Sequence, residues 1–99
     1  MYALSLTESY CPVQTDEELL DTTVGGVLRE AAARSPDAPA LHEVNDDGEL
    51  ARHWTYAELL ADSERLAQAL LTRYQPGERI AVWAPNIPEW IIAEFGFAL

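Results

Sequence analysis

Arg79-Ile80-Ala81-Val82-Trp83-Ala84-Pro85-Asn86-Ile87-Pro88-Glu89-Trp90 reads as the passage from a strand into a helix. Ile80, Ala81, Val82 and Trp83 are apolar without alternation, the mark of a strand covered on both faces, so residues 79–83 are predicted to lie inside a parallel sheet. Asn86 followed by Glu89 predicts a helix start with a capping box. That helix continues through Ile91, Ile92, Phe95, Phe97 and Leu99, with no C-cap glycine, basic last turn or polar tail after it. A buried strand followed by an apolar helix also asks for a further parallel strand through a right-handed crossover. The expectation is the front of a longer α/β domain, in which the last helix docks on the remainder of the domain or self-associates through residues 90–99.

Working outward, Gln75-Pro76-Gly77-Glu78 is a turn, and before it Thr55 with Glu58 forms a second capping box that opens a helix over residues 56–73. Leu59, Ser63, Leu66, Ala67, Leu70 and Tyr74 fall on its inward stripe, while Asp62 and Arg65 stand at i,i+3 on the outer side. Residues 40–44 and 49–54 flank Asn45-Asp46-Asp47-Gly48 and predict a β-hairpin; with Val44 opposite Glu49, His42 and His53 share one face. A first helix begins after Thr22 or Thr23, with Val24, Val27, Leu28, Ala31 and Ala32 as its apolar stripe, and ends before Ser35-Pro36-Asp37-Ala38-Pro39. Gly25 and Gly26 each weaken that helix by ~1 kcal/mol relative to Ala, so packing must hold it. Residues 1–21 are polar, acidic and aperiodic, an N-terminal arm that leads into the domain of residues 22–99.

The chain has 99 residues, 17 of them acidic, with six Arg, no Lys and a formal net charge of −11, a balance that repels nucleic acid and favours solubility. The absence of lysine removes any local ammonium for clamping phosphate or forming a Schiff base. Cys11 is the single cysteine, so no disulfide framework exists, and a reducing, cytoplasmic setting is expected. Residues 1–8 carry neither a positive charge nor an apolar run of signal-peptide length, and residues 90–99 are too short to span a bilayer.

Chemistry-bearing patterns are scarce. Gly25-Gly26 inside a helix is no phosphate loop, and Glu17-Glu18 and Asp46-Asp47 are neighbouring carboxylates in exposed segments. His42 and His53 could begin a metal site, yet zinc requires three or four ligands and only Glu49 is near in sequence, so solvated hairpin histidines are expected. No catalytic, cofactor-binding or metal-binding residue is assigned within residues 1–99.

Trp54-Thr55-Tyr56-Ala57-Glu58-Leu59, the stretch from Gly77 to Trp90, and the stretch from Thr23 to Leu41 together resemble the N-terminal end of an AMP-forming acyl-CoA synthetase, of the adenylate-forming superfamily. The likeness covers about residues 22–99. Asn86-Ile87-Pro88-Glu89-Trp90 is more similar to fatty-acid–CoA ligases than to peptide-synthetase adenylation domains. The hairpin loop is longer than in many relatives, and Tyr74 stands where a helix-ending glycine is common. The resemblance implies an α/β fold, a parent enzyme that uses ATP, Mg and CoA to convert a fatty or other carboxylic acid into acyl-CoA, and a scaffold role for these residues. In such enzymes the phosphate loop, the adenine and ribose contacts, the acyl pocket and the catalytic lysine come later in the chain. The competing expectations are a standalone, non-enzymatic α/β interaction module and a small metalloprotein built on His42 and His53.

Overall fold

The computed structural model describes residues 7 and 9–99, so the signal-peptide reading rests mostly on residues outside the described ones. Its elements are α1 (Val24–Arg34), β1 (Pro39–Val44), β2 (Leu50–Thr55), α2 (Tyr56–Leu70) and α3 (Pro88–Ala98). This is an α/β piece of three helices and one two-stranded antiparallel sheet. Residues 9–23 form no helix or strand and are exposed throughout.

Each of the first two helices starts where its cap places it. The Thr23 hydroxyl accepts from Gly26 N–H at 3.0 Å and opens α1. Thr55 accepts from Glu58 N–H at 3.2 Å while Glu58 returns a carboxylate to Thr55 N–H at 2.9 Å, the reciprocal pair that satisfies two orphan donors at the head of α2. Between the strands, Asn45 Oδ1 accepts from Asp47 N–H at 3.1 Å and Glu49 N–H at 2.9 Å, and Gly48 takes φ +80°, a left-handed turn position open to glycine without steric cost. Leu28, Ala32, Leu59 and Ser63 are the buried side chains at the α1–α2 contact. The remaining α1 stripe is shallower than its periodicity implies: Val24 and Val27 stay exposed because α3 meets α1 on the glycine side, at Gly25.

Three expectations are corrected. Residues 79–83 form no strand, and Trp83 is fully exposed at 102%. A parallel strand exists only through hydrogen bonds to neighbours, and no other segment among the described residues pairs with this one. The start of α3 is not capped by Asn86: Ile87 occupies the cap position with no side-chain hydrogen bond, and Pro88 in the first turn supplies a fixed φ and lacks an N–H to satisfy. Finally, Val44 pairs with Leu50, not Glu49, because of register shifts on either side of the Leu41–His42 pairings. The last helix is also better covered than its sequence implies. Ile91, Ile92, Phe95 and Leu99 are half-buried against the other helices, leaving Trp90 and Phe97 as its exposed aromatics.

Candidate functional site

Arg52 on β2 is the centre of a polar cluster. Its Nε and Nη2 donate to the two carboxylate oxygens of Glu43 on β1, both at 2.8 Å, and its Nη1 donates to Glu89 in the first turn of α3 at 2.7 Å. The guanidinium carbon also lies 5.4 Å from the centroid of the Trp54 ring, within cation–π range. Arg52 holds the Glu43 carboxyl below the usual carboxylate range through its hydrogen bonds. It does the same to Glu89, with help from a backbone N–H. Next to this cluster Trp54 Nε1 donates to Asp62 at 2.8 Å, and Asp62 also pairs with Arg65, as the i,i+3 spacing predicts. The net result is a bidentate fork closed on carboxylates that ties the hairpin to α3, while the Trp54–Asp62 bond ties it to α2.

The three glutamate and tryptophan partners of Arg52 were not legible as a unit, since 37 residues separate Arg52 from Glu89. The hairpin alternation does place residues 43 and 52 on neighbouring strands, which is the one local signal for the Glu43 half.

His42 and His53 face each other directly across the hairpin, on one face as expected, with ring centroids 6.3 Å apart. Both are exposed, and among the described residues no group of three or more His, Cys, Asp or Glu is arranged to hold a metal ion. A cavity of about 640 Å³ lies between α1, α2, the turn at residues 75–78 and the end of α3. Its floor includes Leu70, Ile80, Phe97 and Leu99, and the Arg29–Glu64 ion pair, 2.7 Å long, stands at its edge.

Arg29, Arg52 and Arg65 are each paired with carboxylates. Both glycines of α1 lie against helix ends or caps: a Cβ on Gly25 would sit 2.9 Å from Leu99 Cδ2, and one on Gly26 would sit 2.4 Å from Thr22 Oγ1. Their role is close packing. No helix among the described residues is long and apolar enough to cross a membrane.

The described residues form a small α/β unit with side-chain caps on its first two helices and an ordered hairpin. The class of protein comes from comparison: the model of the family described as AMP-binding enzyme matches residues 28–99, and the chain belongs to that family. It is similar to the medium-chain acyl-CoA ligase ACSF2, mitochondrial, of Danio rerio, at 34% identity over 95 residues, covering 95% of this chain and 15% of that one. It is also similar to the putative acyl-CoA synthetase YngI of Bacillus subtilis, at 32% identity over 82 residues, covering 82% of this chain and 14% of that one. Acetyl-coenzyme A synthetase 1 of Candida albicans is 40% identical over 62 residues, covering 62% of this chain and 9% of that one. The chain thus spans about 15% of the length of the first of these relatives. No solved structure matches it.

Proposed function

We propose that residues 22–99 are the start of the large N-terminal domain of an ATP-dependent acid–thiol ligase, with residues 1–21 as a leading arm, and that they contribute scaffold to that enzyme. The observation that carries this reading is the family match over residues 28–99 in a chain covering 15% of its ACSF2 relative. In the reaction proposed for the parent, a carboxylate oxygen attacks the α-phosphorus of ATP and pyrophosphate leaves, giving an acyl-adenylate. The CoA thiol, losing its proton, then attacks the acyl carbon and AMP leaves. The substrate class is a carboxylic acid, with a fatty acid the specific expectation. ATP, Mg and CoA belong to parts of the parent beyond these residues.

The test is acid-dependent exchange of labelled pyrophosphate into ATP by the protein translated from the complete reading frame that contains these residues. Exchange that depends on a fatty acid supports the reading, and none across short, medium and long acids would refute it. A reducing cytoplasmic location is proposed with it, on the single exposed Cys11, and fractionation is its check, since the ACSF2 relatives carry a mitochondrial designation. The second reading is a standalone, non-enzymatic α/β interaction module.

A further inference from the structure

No further inference is drawn: the strongest candidate, the cavity of about 640 Å³ between α1, α2, the turn at residues 75–78 and the end of α3, is open on one side and lined by Leu99 itself, and nothing in the structure shows what covers it in a chain that spans 15% of its ACSF2 relative.

Discussion

Gly96 of α3 lies flush against Leu66 of α2: a Cβ at Gly96 would sit 2.8 Å from Leu66 Cδ2 and 3.2 Å from Leu66 Cβ. The first clash could be relieved by turning the end of the leucine, but the second is with an atom fixed to the α2 backbone. Glycine inside a helix costs ~1 kcal/mol relative to Ala, so its presence here reflects the close approach of α2 and α3.

Gly96→Ala should therefore destabilise the fold despite improving helix propensity. Overpacking of ~1–3 kcal/mol opposes a gain of ~1 kcal/mol, leaving a net loss of up to about 2 kcal/mol. Urea unfolding followed by circular dichroism measures it, and a stability gain of about 1 kcal/mol would show that α3 is free to shift.

Ser63 is fully buried in α2, and its hydroxyl has no hydrogen-bond partner among the described residues. An unsatisfied buried hydroxyl costs ~1–3 kcal/mol in desolvation, and alanine keeps the helix and most of the volume. Ser63→Ala should raise stability by about 1 kcal/mol, which corresponds to a melting shift of roughly 4–8 °C in a domain of this size. A lower melting temperature would mean that the hydroxyl makes a bond in solution that the packing does not reveal.

Glu43 and Glu89 both have depressed carboxyl pKa values because Arg52 donates to them. A carboxylate with a lowered folded-state pKa contributes stability that is fully present above its unfolded value and is lost as pH falls through the folded one. Melting temperature should thus drop below about pH 4 in the unsubstituted chain, and the drop should be shallower in Arg52→Ala. The pairs are solvent-exposed, so added salt should shrink the difference. Parallel acid profiles for the two proteins would show that the Arg52 fork contributes nothing to linkage.

The parts of the fold visible in the sequence are those encoded within a few residues. Thr55 and Glu58 specify the head of α2, Thr23 the head of α1, and Asn45 with Gly48 the hairpin loop, because each acts on backbone groups at most four positions away. What was misread depends on distant partners. The run from Ile80 to Trp83 has the composition of a buried strand, but a strand also needs a neighbour, and none is present among the described residues. Asn86 has the side chain of a cap, yet Pro88 moves the helix start one residue on. The Arg52–Glu89 pair joins elements 37 residues apart and had no periodic signature. The family, by contrast, was legible because caps, turns and core positions recur in the same order across it, and the match to residues 28–99 bears that resemblance out.

The claim at the centre of this account is that these residues are scaffold, with the phosphate chemistry supplied by other parts of the parent. Stabilising the transferring phosphoryl group takes oriented amides and cations, and loss of a single such donor typically costs ~10²-fold or more. The most direct measurement is titration of the purified 99-residue chain with Mg·ATP by calorimetry, with pyrophosphate exchange assayed on the same sample in the presence of a fatty acid. The account predicts no saturable heat and no exchange above the protein-free control. Stoichiometric binding of Mg·ATP accompanied by fatty-acid-dependent exchange would contradict it.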